Sequence, residues 1–102
     1  MRVVWNNLAE QQLDPIAFVS AVWGKTIGHR LLRESRHISR LLARHPHLGH
    51  AEPLLADRPK GYRSIFVPPY NKLVYYIEGS EVRIAAVWDT RRDPTTLAAE
   101  VS

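Results

Sequence analysis

Three apolar runs follow one another with almost no chain between them: YRSIFV (62–67), KLVYYI (72–77) and VRIAAVW (82–88). β-branched and aromatic residues dominate each run, and the connectors PPYN and EGS are short enough for hairpins. Successive runs are therefore expected to lie antiparallel as a meander. A sheet built this way must be covered by what precedes it, because 102 residues bury one modest core and no more.

What precedes it reads as one strand and two helices. RVVW (2–5) is a short β-branched run, and Asn6 and Asn7 behind it are a turn and helix-cap signal. From Leu8 the apolar positions Leu8, Ala9, Leu13, Ile16, Ala17 and Val19 or Ser20 keep helical spacing. Pro15 must kink this helix or restart it with Asp14 as cap, and Gly24 ends it. A second helix, from about Lys25 to Arg44, puts Ile27, Leu31, Ile38, Leu41 and Leu42 on one face. Arg30, Arg33, His37, Arg40 and Arg44 line the other. Pro46 stops that helix, and the proline- and glycine-bearing stretch 46–61 reads as a loop. After the third meander run, Asp93 and Pro94 make a cap and first turn for a short helix, TTLAAEV. The expectation is an α+β fold forming a single domain over residues 1–102. Its small antiparallel four-stranded sheet joins the N-terminal strand to the C-terminal three-strand meander, with two helices packed on one face and a short C-terminal helix.

Composition narrows the chemistry. The chain has no cysteine, which excludes a disulfide framework, a thiolate nucleophile and a cysteine-built zinc site, and fits a reducing cytoplasm. No apolar run approaches the roughly 20 residues of a membrane span, and MRVVWNNLAEQ turns polar too early for a signal peptide, so a cytoplasmic protein is expected. Net charge is +4, concentrated between Lys25 and Arg44, where six basic residues accompany one acid, Glu34. A polyanion is the natural partner for such a stretch, either a nucleic acid or an acidic protein segment; the alternative is a solvated helix face. For a nucleic acid, the candidate contacts are Arg40 and Arg44 with Arg58 and Lys60 of the following loop. HPHLGH places His45, His47 and His50 close together with Glu52 behind them, but the spacing matches no structural zinc pattern, so no metal and no cofactor are expected; as general acids these histidines serve only if the loop folds over Arg63. His29 and His37 fall among the arginines of the second helix and are expected on its wet face.

The element order, the opening VVW, the HPHLG after the second helix, GYRSIFVPPYNKLVYYI and the closing VWDTRRDP together resemble the RelE/ParE superfamily of toxins from bacterial type II toxin–antitoxin systems. The resemblance spans nearly the whole chain. It implies a compact toxin held inactive in a hetero-oligomer by a cognate antitoxin whose tail wraps its surface. Trp5, Leu13, Ile16 and Trp23 exceed what one small core needs and are the candidate antitoxin contacts.

Two chemistries occur in that superfamily. RelE-like members cut messenger RNA on the ribosome, which needs a base, an acid and cations for the phosphorane; ParE-like members bind DNA gyrase and need no such set. By resemblance, Arg63 falls where RelE-like enzymes keep a phosphate-binding arginine, and Arg91 or Arg92 where they keep a second. The terminal tyrosine or histidine of those enzymes has no counterpart in DPTTLAAEVS, and position 88, a histidine in many relatives, is Trp88. The expectation is therefore a gyrase-binding toxin whose charged working surface includes Arg63, Arg91 and Arg92. RNA cleavage is the alternative, and a non-toxic binding module with the same fold is a third reading. Against function, Arg63 could pair with Asp89 or Asp93, and Arg91 could cap a carbonyl.

Overall fold

The computed structural model describes residues 1–24 and 27–101. Lys25 and the side chain of Ile27, both counted in the second helix above, lie outside the described residues. The chain runs β1 (Arg2–Trp5), α1 (Asn7–Trp23), α2 (Ile27–Arg44), β2 (His50–Ala51), a 3-10 turn (Pro53–Leu55), β3 (Arg63–Val67), β4 (Asn71–Glu78), β5 (Glu81–Asp89) and α3 (Pro94–Glu100). None of the described helices is long and apolar enough to cross a membrane.

The architecture is α+β, but the sheet differs from the expected four antiparallel strands. It has five, in the order β1-β5-β4-β3-β2, and it is mixed. The meander β3-β4-β5 is antiparallel as its short turns require, whereas β1 lies parallel to β5, with Val3 opposite Val82 and Trp5 opposite Ile84. The direction follows from the connection: β1 reaches β5 only after two helices and the rest of the meander, so no hairpin dictates its sense. The fifth strand hides in the stretch read as loop, where His50 and Ala51 pair with Ser64 and Arg63. Two residues carry no period, so no alternation announces them.

Helix α1 continues through Pro15 instead of restarting at Asp14. Pro15 and Gln11, whose carbonyl loses its helical donor there, are both exposed, so water can serve that carbonyl. Asn6 is the N-cap residue, yet its side chain does not close the helix; it reaches the Tyr76 hydroxyl at 3.4 Å. Between α1 and α2, Ser20 Oγ and His29 Nδ1 sit 2.7 Å apart, so His29 is half-buried and not on the wet face; His37 is exposed.

The sheet is covered on both faces. Ala9 of α1 and Ile38 and Leu42 of α2 close over Val67, Leu73, Tyr75, Val82, Ile84 and Val87. On the opposite face α3 and the 3-10 turn bring Leu97, Val101 and Leu55 over Tyr62, Val74, Tyr76, Ala85, Ala86 and Trp88. That explains the consecutive apolar residues Leu73–Ile77 of β4 and Ile84–Trp88 of β5, which double burial permits. One β-bulge shapes everything downstream. Tyr75 faces Ile84 and Val74 faces Ala86, leaving Ala85 unpaired, so the alternation of β5 slips by one residue. Val82 and Ile84 face the long helices, and after the slip so does Val87, while Trp88 turns to the α3 side.

Candidate functional site

The slip at Ala85 decides where the two arginines beyond β5 go. Asp89, two residues after Val87, is on the α1–α2 side, and Arg91 folds back on it: Nε and Nη2 donate to the two carboxylate oxygens at 3.1 and 2.8 Å. The same guanidinium lies over the Tyr70 ring, 3.6 Å from its centroid. That fork holds the Asp89 carboxyl below the usual carboxylate range and raises Arg91, the hydrogen bond being the main cause in both. Arg92 goes the other way. It stacks on Trp88 at 4.4 Å and donates to Glu100 of α3 at 2.9 Å. The neighbouring arginines thus point to opposite faces of the sheet, and each has its own carboxylate. Asp93 is engaged locally as the cap of α3, accepting from Thr95 N at 3.0 Å, which lowers its pKa.

Arg63 belongs to a third place. Its Nη1 donates to the Gly49 carbonyl at 2.6 Å, while the Tyr75 hydroxyl accepts from Gly49 N and donates to Pro46 O, both at 2.8 Å. Arg63 and Tyr75 are register partners, and between them they pin the 46–50 segment to the sheet. Burial is the main cause that pushes the Tyr75 phenol above its ordinary value. Tyr75 and Asn71 are four residues apart on β4, about 14 Å at the strand rise, and Asn71 is the neighbour of Asp89. Arg63 and Arg91 are therefore at different ends of the sheet. The structure does not bring Arg63, Arg91 and Arg92 round a common point.

The expected nucleic-acid residues divide in the same way. Arg40 and Arg44 are exposed on α2. Arg58 is on the α3 side, where its guanidinium donates to the carbonyls of Ala98 and Val101 and anchors the tail helix. Lys60 lies on that side too, over the Tyr76 ring at 4.7 Å. These four do not share one surface. His45, His47 and His50 are all exposed, and no group of three potential metal-binding side chains forms among the described residues.

Of the candidate antitoxin contacts, Trp5 and Leu13 meet in a cleft of about 550 Å³ between α1, α2 and the free edge of β1, whose walls also carry Arg36 and Arg40. Trp5 is half-buried there, its Nε1 donating to Ser39 Oγ at 3.3 Å. Ile16 lines a second cleft, about 410 Å³, together with Tyr70, Asp89 and Arg91. Trp23 is 77% exposed at the end of α1, and with it Phe18, Val19 and Val22 form an apolar tip that pattern reading missed. Phe18 and Val22 are four apart and off the core stripe, which was the available signal.

Residues 3–94 match the family model of the ParE toxin of type II toxin-antitoxin system, parDE. No curated protein matches the sequence. Among solved structures, the chain is similar to one from the chromosomal ParDE TA system of P. aeruginosa, at 15% identity and TM-score 0.63, covering 87% of this chain and 95% of that one. It is similar also to a YoeB/ParE toxin from Agrobacterium tumefaciens, at 22% identity and TM-score 0.64, covering 87% and 98%. At these identities the likeness is one of fold.

Proposed function

The chain belongs to the ParE toxin family of type II toxin–antitoxin systems, and from that premise we propose that it stops growth in the cytoplasm by binding DNA gyrase and is neutralised by a cognate antitoxin. The observation that carries the choice of target is the divergence of Arg63, Arg91 and Arg92. A phosphorane needs its cations converged within hydrogen-bond reach, with an acid and a base beside them. In this chain one arginine is engaged with a loop carbonyl and the other two are charge-balanced on opposite faces. Trp88, at the position where many RelE-like relatives hold histidine, is 1% exposed and has no proton to transfer. A protein target asks for less: exposed apolar anchors with charges on the rim.

The antitoxin contacts follow from the same surface. Trp23, with Phe18 and Val22, supplies an exposed apolar tip at the end of α1, and Trp5, Leu13 and Ile16 line clefts elsewhere along that helix. An amphipathic antitoxin segment laid against the tip and clefts covers groups that a lone toxin exposes to water. Arg91 and Arg92 are the charged rim assigned to the target.

Purified chain added to gyrase and relaxed plasmid should inhibit supercoiling, and message in a translation extract should stay whole. Arg91→Ala with Arg92→Ala should remove the inhibition with the melting temperature nearly unchanged, because ion pairs this exposed to water contribute little to stability. Cleaved message with unaffected gyrase overturns the reading in favour of a nuclease. No effect in either assay leaves a binding module with the toxin fold.

A further inference from the structure

The function proposed above uses the polar face of α2 only at its margins, where Arg36 and Arg40 reach the Trp5–Leu13 cleft and Arg30 the Ile16 cleft. Arg30, Arg33, Arg36, Arg40 and Arg44 are exposed along one helix, and among the described residues none of them has a carboxylate within ion-pair distance. Elsewhere the arginines and Lys72 are engaged by the fold: Arg2 and Arg83 pair with Glu81, Lys72 with Glu52, Arg91 with Asp89 and Arg92 with Glu100, while Arg58 and Arg63 donate to backbone carbonyls. The only acid in α2, Glu34, is half-buried. Arg33 and Arg36, Arg36 and Arg40, and Arg40 and Arg44 sit three or four apart, where like charges destabilise a helix. The first turn adds a cation, Arg30, and no acid, against the helix dipole. A surface selected only for solubility would interleave glutamates. Here the repulsion is left standing, and a bound polyanion would relieve it.

We propose that this face of α2 binds double-stranded nucleic acid through its phosphates, along a row that adjoins the cleft of Asp89 and Arg91 only at Arg30. At 100° per residue, Arg30, Arg33, Arg40 and Arg44 fall within an arc of about 80° and span about 21 Å of helix axis. Over about 21 Å a duplex carries roughly 12 phosphate charges on its two strands. A rigid row of guanidiniums can follow that charge without reading bases. Two features separate the duplex from other polyanions. Residues 28–44 contain no Phe, Tyr or Trp, so the row has no platform on which unpaired bases would stack. Among the described residues none of the exposed large hydrophobics is on α2 either, so the row lacks the apolar anchors on which a protein interface rests.

The test is fluorescence anisotropy of a mixed-sequence duplex of about 20 base pairs, titrated with the full chain over a salt series. Four phosphate contacts give a slope of log K against log salt near −3.6, about a 150-fold loss of affinity between 50 and 200 mM. Arg33→Gln with Arg40→Gln should flatten that slope by about 1.8, so that the same salt step costs about 12-fold. Lys60→Gln, on the opposite face, should leave it unchanged. Should the double variant melt early, Arg30→Gln with Arg44→Gln serves in its place, since all four side chains are exposed. Absence of duplex binding at low salt, an unchanged slope in the α2 variant, or an equal loss in Lys60→Gln overturns the proposal. So does tighter binding of single-stranded RNA or of polyglutamate than of the duplex. Gyrase inhibition is read separately in the same preparations, so failure of one reading leaves the other standing.

Discussion

Tyr75→Phe is the sharpest test of how the 46–50 segment is held. The change removes one oxygen and leaves the ring in place, so packing against Leu42 and Val67 in the helix-side core is conserved. Two partners are orphaned: the Gly49 N–H, which is buried, and the Pro46 carbonyl, which is partly buried. A buried donor without a partner costs about 1–3 kcal/mol, and the carbonyl, able to turn toward water, adds about 0.5–1. The expected loss is about 2–3 kcal/mol, which for a domain of this size lowers Tm by about 10–20 °C. Urea melting should show a lower midpoint with an unchanged slope, since the same surface is exposed on unfolding. Arg63 holds the same residue by its other backbone group, so Arg63→Met combined with Tyr75→Phe should depart from additivity by more than about 0.5 kcal/mol. A Tyr75→Phe loss below about 0.5 kcal/mol refutes the argument. Any activity assay on Arg63 variants therefore has to be read beside a melting curve, because this side chain positions a loop whatever else it does.

Two further outcomes follow from the burial of charge and of phenols. Lys72→Met strands the Glu52 carboxylate, which is 1% exposed, and should cost about 3–5 kcal/mol in urea melts; adding Glu52→Gln should recover much of it, and a cost below about 1 refutes the pairing. Burial raises the phenols of Tyr62 and Tyr75, so folding favours their neutral forms: their contribution is complete below pH of about 10 and is lost as pH climbs through the higher folded values. Ring signals of Tyr62 and Tyr75, followed by NMR across the alkaline range, should show both phenols titrating late and together with unfolding, and titration of either near its ordinary value in the folded protein counts against this.

The order of elements was legible from one dimension because local physics writes it there. Short connectors force the antiparallel meander, the three-and-four spacing of α2 separates its leucines from its arginines, and Asp93 with Pro94 opens α3. The arginines after VRIAAVW were placed correctly at the strand's end, because a β-rich run stops where the polar residues start. What could not be read was which face each side chain takes. In a sheet buried on both sides consecutive positions of a central strand are apolar, as from Ile84 to Trp88, so alternation there carries no facing information, and a single unpaired residue at Ala85 is invisible. That residue sends Trp88 and Arg92 to the α3 side and Asp89 and Arg91 to the side of the long helices. The parallel docking of β1, the two-residue β2 and the capture of Arg58 and Arg63 by carbonyls 40 and 14 residues away likewise arise from contacts between distant parts of the chain. A backbone carbonyl is the same in every residue. No pattern of side chains marks which one an arginine will reach, and only the closed fold decides it.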